Sequence, residues 1–459
     1  MSLTRWLTLH GFVTAVAVLS YVVTSRVMAQ RRHPSAAIAW ILFILLLPYL
    51  ALPAFLAFGS RKLERPRAAA LPGPSGLHRD AWAIETIMVL GQPAPVAYHN
   101  LRLHQDGHAA RDALLGSIDA AEASIDLCTF ILGRDSLGNA VVDRLRTKAR
   151  AGVRVRLLLD GLGSLMEQGP ELKPLADAGA QVTLFVPPLR SPLKGRTNLR
   201  NHRKYLVVDS ALATGRLWCG GRNLAQEYFE GRPGEAPWRD LTFDVCGPIV
   251  RQAGGLFERD WAFANHQPNA APISGPAGMP VAGGAQIVAS GPDQADDTVY
   301  AVLVAAAYRA RQRIALATPY FVPEPALLMA LCLAARRGVS VDLLMPARSN
   351  HRLSDLARSR ALRSLAAAGA RIWLAREMLH AKLAVIDDVL ALAGSANVDS
   401  RSLFLNYELM VAFHNAADVQ RFAAWFDQER APASAYVADQ PSLVRDVAEG
   451  MLLWLGFQL

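Results

Sequence analysis

Two segments of the 459-residue chain repeat one spacing of histidine, lysine and aspartate: His202-Arg-Lys204-Tyr-Leu-Val-Val-Asp209 and His380-Ala-Lys382-Leu-Ala-Val-Ile-Asp387. Each is followed by a small-residue turn ending in asparagine, Gly220-Gly221-Arg-Asn223 in the first case and Gly394-Ser395-Ala-Asn397 in the second. These residue types suit attack on a phosphodiester. Lysine ammoniums neutralise the nonbridging oxygens, so a nucleophile can approach an anionic phosphorus. A neutral imidazole is a competent nucleophile at neutral pH, and an imidazolium is a competent acid for an alkoxide leaving group. Two histidines on opposite sides of one phosphate supply both roles without metal or cofactor. Asn223, Ser395 and Asn397 can add hydrogen bonds to the same oxygens. One His-x-Lys on a strand is more often structural; two copies, each with its asparagine turn, are poorly explained that way.

The apolar, β-branched run after each His-x-Lys predicts a buried strand, in which alternate side chains share a face. His and Lys at i and i+2 therefore point into one site. Asp209 and Asp387 close the two catalytic motifs but fall on the opposite face, where ordering a strand end or binding backbone is the expected role.

The surroundings repeat as well. Ser124-Ile-Asp-Leu-Cys-Thr-Phe130 matches Arg313-Ile-Ala-Leu-Ala-Thr-Pro-Tyr320, and Ala151-Gly-Val-Arg-Val-Arg-Leu-Leu-Leu159 matches Arg337-Gly-Val-Ser-Val-Asp-Leu-Leu-Met345. Leu175-Ala-Asp-Ala-Gly-Ala-Gln-Val182 matches Leu365-Ala-Ala-Ala-Gly-Ala-Arg-Ile372. Alternating helical and β-branched segments predict an α/β fold with a largely parallel buried sheet in each half. Two α/β domains, residues 68–266 and 285–435, are expected to be related by internal duplication. The Pro/Gly/Ala-rich stretch 267–284 reads as a linker. In the apolar tail 436–459, the final run Gly450–Leu459 is too short to span a membrane and suits a core or an interfacial helix.

Hydrophobic residues make up 52% of the chain and charged residues only 19%. Much of that excess lies in residues 1–67, where two uncharged stretches, Trp6–Ser25 and Pro34–Ser60, predict a transmembrane helical hairpin with a basic exit. Cleavage after Val27-Met28-Ala29 is the alternative for the first stretch; its length and the second span that follows favour the uncleaved hairpin. Arg5, Arg61, Lys62, Arg65 and Arg67 outside the hairpin outnumber Arg26, Arg31 and Arg32 in its loop, which places both ends, and the catalytic region, in the cytoplasm. The net charge of +9 suits polyanions, nucleic acid and anionic lipid alike. Four scattered cysteines show neither zinc-site spacing nor a disulfide framework.

The paired motifs resemble the signature of the phospholipase D superfamily. Asn198-Leu-Arg-Asn-His-Arg-Lys204, Leu379-His-Ala-Lys-Leu-Ala-Val-Ile-Asp387, Gly394-Ser-Ala-Asn-Val-Asp-Ser-Arg-Ser402, Asn406, Glu408 and the N-terminal hairpin are similar to bacterial cardiolipin synthases. The resemblance implies tandem phospholipase D-like domains and an inner-membrane, multi-pass phosphatidyltransferase. It implies that two phosphatidylglycerols are joined to cardiolipin plus glycerol, with anionic phospholipids rather than nucleic acid as partners. Hydrolysis, another acceptor such as phosphatidylethanolamine, and nuclease action are the alternatives. By the same resemblance, His202 is the nucleophile and His380 the acid and base. Glu408 orients His202, and Asp240 orients His380. Gly221 departs from the pattern where the second turn has Ser395. Asp209 to Gly220 spans eleven positions where Asp387 to Gly394 spans seven. The basic loop Pro187–Arg196 has no counterpart in the second half.

Overall fold

The structure, a computed structural model, describes residues 3–27, 34–58, 81–166, 169–187, 197–267 and 281–442, with 445 and 449. Most of the linker, most of the basic loop and the end of the apolar tail lie outside these residues, as does the basic exit after the hairpin.

The duplication is visible in the sheets. The first runs His99–His104, Thr242–Cys246, Arg216–Gly220, Tyr205–Val208, Ser124–Thr129, Arg154–Asp160, Gln181–Phe185. The second follows the same order with Ala285–Ser290, Asn406–Phe413, Leu390–Gly394, Leu383–Ile386, Arg313–Ala317, Ser340–Pro346, Arg371–Ala375. Only the last three strands of each run are parallel. The sheets are therefore mixed, not largely parallel. The reason lies just after each motif: the chain reverses through a hairpin, Val208 to Arg216 and Ile386 to Leu390, with no crossover helix.

The motif strands are buried on both faces. Tyr205 and Val207 join a core shared by both halves, while Leu206 and Val208 pack under outer helices of the first half. Leu383 and Val385 enter the same shared core, and Ala384 and Ile386 face the outer helices of the second. That core also takes Phe257 and Trp261 of helix Ile249–Ala264 and Phe422 and Phe426 of helix Ala416–Arg430. Two outer helices of the first half begin at acidic caps: Asp106 accepts from Ala109 N at 2.8 Å and Asp135 from Gly138 N at 2.9 Å.

At the N-terminus, helices Leu3–Val27, Pro34–Leu46 and Pro48–Phe58 pack through Ala17, Tyr21, Ile44, Ala51 and Phe55. Among the described residues no helix is long and apolar enough to cross a membrane. The second apolar stretch is divided at Leu47 because Pro48 has no N–H to give. Hydrogen bonding nevertheless carries across the joint, with Leu47 N on Phe43 O and Ala51 N on Leu47 O, each at 2.9 Å.

Candidate active site

Each motif histidine is stitched by its backbone to a strand that carries an acid of the other half. Arg200–Asn201 pairs in parallel with Asn406–Tyr407, and His202 N donates to Tyr407 O at 2.9 Å, one residue before Glu408. Reciprocally, Leu379 bridges Arg239, and His380 N donates to Arg239 O at 2.6 Å, one residue before Asp240. The side chains follow. His202 Nδ1 lies 3.0 and 3.2 Å from the Glu408 carboxylate oxygens, and His380 Nδ1 lies 2.9 Å from Asp240 Oδ2. A carboxylate at Nδ1 selects the tautomer that leaves Nε2 for chemistry. Both acids are buried.

The lysines stand beside the histidines, as the two-residue strand period requires. Lys204 Nζ donates to His202 O at 2.6 Å, and Lys382 Nζ lies 2.7 Å from His380 Nδ1 and 3.1 Å from Nε2. Burial is the largest influence on all of these groups. It holds His202 down to about 4, against the pull of Glu408, with Lys204 and Lys382 adding to the fall. His380 is pushed well below its usual value by burial, then by Lys382, Lys204, His202 and Arg222. Lys204 falls to about 7 and Lys382 to about 8, while burial lifts Asp240 to about 6. Burial thus disfavours each charge, and an anion between the lysines would favour the cationic forms.

Asp209 and Asp387 lie outside this cluster. Asp209 accepts from the backbone N–H groups of Glu122, Ala123 and Ser124 at 2.7–2.8 Å; Asp387 does the same for Arg311, Gln312 and Arg313 at 2.8–2.9 Å. Both residues adopt positive φ, 50° and 48°. They tie the end of the motif strand to the start of its neighbour by binding its backbone.

The asparagine turns differ in detail. Ser395 Oγ donates to Glu408 Oε2 and accepts from Leu409 N, so its hydroxyl holds the acid and is already spent. At Gly221 a Cβ would stand 2.4 Å from Asp240 Oδ1. The shorter aspartate draws its carboxylate back over the turn and leaves no room for a serine. Asn223 Nδ2 donates to the Tyr228 hydroxyl at 2.7 Å. The Oδ1 atoms of Asn223 and Asn397 are buried without partners. The longer first turn does not displace Asn223: Tyr205 pairs with Cys219 as Leu383 pairs with Ala393, which confines the extra residues to the hairpin tip.

Sequence reasoning did not single out two further groups. Aromatic rings enclose the histidines, with Phe130 5.3 Å from His202, and Tyr228, Trp238 and Tyr320 at 5.1, 5.7 and 6.5 Å from His380. Phe130 and Tyr320 were available at the ends of the first repeat pair, one position out of register. Two buried arginines also grip the acids by their backbone carbonyls. Arg203 Nε donates to Glu408 O at 3.0 Å, and Arg222 Nη1 donates to Asp240 O at 2.6 Å.

Two interlocked α/β halves, each lending an acid to the other's histidine, define a phospholipase D-like fold and site. Comparison with known proteins narrows this. A family model described as cardiolipin synthase, PLD-like domain, matches residues 114–237 and again 303–430, and one described as phospholipase D-nuclease N-terminal matches 13–60. Cardiolipin synthase A of Pseudomonas putida (strain W619) is 32% identical over 406 residues, 82% of each chain. Cardiolipin synthase 1 of Bacillus cereus is 30% identical over 458 residues, 93% of this chain and 89% of its own. The crystal structure of Haemophilus influenzae phosphatidylserine synthase shares the fold, with a TM-score of 0.63 at 11% identity, covering 82% of this chain and all of its own. The chain belongs to the cardiolipin synthase family of phospholipase D-like proteins.

Proposed function

We propose that the protein is a cardiolipin synthase, a phosphatidyltransferase that joins two phosphatidylglycerols. The observation that carries this reading is the reciprocal pairing of His202 with Glu408 and His380 with Asp240, in a chain about a third identical to cardiolipin synthases.

In the first step His202 Nε2 attacks the phosphorus of one phosphatidylglycerol. The bond to the headgroup glycerol breaks, and the proton on His380 Nε2 passes to the departing oxygen. Lys204 and Lys382 neutralise the nonbridging oxygens, and the phosphate in turn stabilises the imidazolium that burial disfavours. In the second step a headgroup hydroxyl of another phosphatidylglycerol gives its proton to His380 and displaces His202 from phosphorus. The products are cardiolipin and glycerol. Asn223, which donates to Tyr228 beside His380, lies at the edge of the site.

The N-terminal helices anchor this site to a bacterial inner membrane, with the catalytic halves on the cytoplasmic side. Residues 34–58, hydrogen bonded through the Pro48 joint, reach about 37 Å at the usual rise per residue, against a hydrocarbon core of about 30 Å. Their outward side chains include Ile38, Leu42, Leu46 and Leu50.

The test is to incubate the purified, detergent-solubilised chain with labelled phosphatidylglycerol alone and resolve the products. Cardiolipin with glycerol is expected. Phosphatidic acid, or no product until another alcohol is supplied, overturns the assigned acceptor.

A further inference from the structure

Phe130 and Tyr320 follow the ends of equivalent strands, one position out of register, beside His202 and His380 respectively. Each is backed by a short helix that follows the adjoining parallel strand. Gly163–Met166, after strand Arg154–Asp160, lies so close to Phe130 that a Cβ on Gly163 would meet the Phe130 carbonyl oxygen. Arg352–Ala357, after strand Ser340–Pro346, begins just beyond Asn350 and His351. Asn350 Oδ1 accepts from the Tyr320 hydroxyl at 2.6 Å, and the His351 ring lies 5.1 Å from that of Tyr320.

Both helices turn leucine outward. Leu165 is 66% exposed, Leu353 53% and Leu356 51%. One exposed leucine is ordinary on any protein surface. Three, on two equivalent helices that flank one site, form a rim. Leu353 and Leu356 are three residues apart and so share a helix face. The charge around them is positive. Arg348 and Arg352 are exposed, while the nearby acid Asp355 is occupied by Ser349 N and Arg358.

We propose that these two helices are a membrane-contacting rim, with Leu165, Leu353 and Leu356 entering the acyl region of an anionic phospholipid surface. Arg348 and Arg352 lie at headgroup level, where each cation near an anionic surface adds to the attraction. A phosphatidyl headgroup then passes from the bilayer to a point between the histidines while its acyl chains stay out of water. The inference rests on the phosphatidyltransferase reading and adds which face of the two halves meets the lipid. Burial of apolar side chains at the interface supplies the affinity, and losing two leucines there lowers turnover by about tenfold or more.

The experiment uses the full chain and two presentations of one chemistry: phosphatidylglycerol in reconstituted vesicles, and a short-chain phosphatidylglycerol dispersed below its micelle concentration. Leu353→Ser/Leu356→Ser and Leu165→Ser are compared with the parent by glycerol release. The double variant is expected to lose about tenfold or more on vesicles and to keep the parent rate on dispersed lipid, with a smaller selective loss for Leu165→Ser. The unchanged dispersed-lipid rate also reports that the variants fold. Equal loss on both substrates, or no loss on vesicles, overturns the rim. Glycerol release is common to transfer and hydrolysis, so a parent enzyme yielding phosphatidic acid overturns the proposed acceptor and leaves the rim supported or refuted on its own ratio.

Discussion

His202 Nδ1 lies 3.0 Å from Glu408 Oε1 across 206 positions of sequence and from one half of the molecule to the other. With its counterpart, His380 on Asp240, it makes the site a property of the joined halves, since neither half alone holds a complete pair.

Glu408→Gln therefore tests orientation apart from nucleophilicity. The amide fills the same space, but it no longer selects the Nδ1–H tautomer or stabilises positive charge on His202. Glycerol release from labelled phosphatidylglycerol is expected to fall by about 10²-fold or more, with little change in KM. His202→Ala and His380→Ala should each abolish it, because both act in one step. Parent-like turnover in either alanine variant would rule out the two-histidine mechanism.

The turns around the two acids predict opposite responses to the same exchange. Ser395→Gly removes the hydroxyl that fixes Glu408 Oε2, and kcat should fall about tenfold at the cost of one charge-assisted hydrogen bond. Gly221→Ser does not restore symmetry: its Cβ meets the Asp240 carboxylate, which must move off His380. This variant should lose more activity than Ser395→Gly, although it makes the first turn look like the second. A more active Gly221→Ser enzyme would contradict the geometry.

What the sequence made readable here was what obeys local periodicity. His202 and Lys204 share a face, and Asp209 faces away, because a strand alternates every residue; no distant partner is needed to see it. The mixed sheets were not legible, since a β-branched run does not say whether its neighbour arrives by a crossover or a hairpin. The role of Ser395 was misplaced for a similar reason. Its type suits a phosphate ligand, but only the fold brings Glu408 back beside it. The arginine grips escaped because Arg203 meets partners 57 and 205 positions away.

The lysines set the pH dependence. Lys204, held down to about 7, and Lys382, held down to about 8, must be protonated to neutralise the phosphate. As pH rises through 7 and then 8 the free enzyme loses those charges, so kcat/KM falls. A bound phosphodiester favours the ammonium forms, so the alkaline limb of kcat lies higher than that of kcat/KM. On the acid side Asp240, raised to about 6, loses its charge as pH falls through that value and weakens its hold on His380; His202, down at about 4, stays neutral until later. Steady-state rates from about pH 4 to about pH 10 check this, and a kcat/KM that does not decline above the lysine range would contradict it.

Asp209 and Asp387 should be matters of stability. Asp209→Ala strips three backbone donors of their acceptor and puts a β-carbon without polar compensation at φ 50°. A loss of about 2–3 kcal/mol is expected. Asp209→Asn tolerates the left-handed backbone and keeps part of the hydrogen bonding, so its denaturation midpoint should lie between alanine and parent. Turnover per folded molecule should change little in the asparagine variant, whereas a catalytic contact would cost orders of magnitude.

Arg203 separates folding from positioning most sharply. It lies between His202 and Lys204 but points to the other face, where Nη1 meets Asp260, Nη2 lies 3.2 Å from Asp293, and Nε binds the Glu408 carbonyl. The second motif has Ala381 at this place, so among the described residues this grip runs only from the first half to the second, whereas Arg222 holds Asp240 O within its own half. Arg203→Met leaves Asp260 buried without its cation and should cost about 3–5 kcal/mol. Arg203→Lys keeps a charge for Asp260 but cannot reproduce the planar fork that also reaches Glu408 O. Its midpoint should therefore recover much of the loss while kcat stays about tenfold down at unchanged KM, the drop expected when a charge-assisted hydrogen bond that positions Glu408 is lost. If the lysine variant regains kcat in step with stability, Arg203 acts only as a staple between the halves.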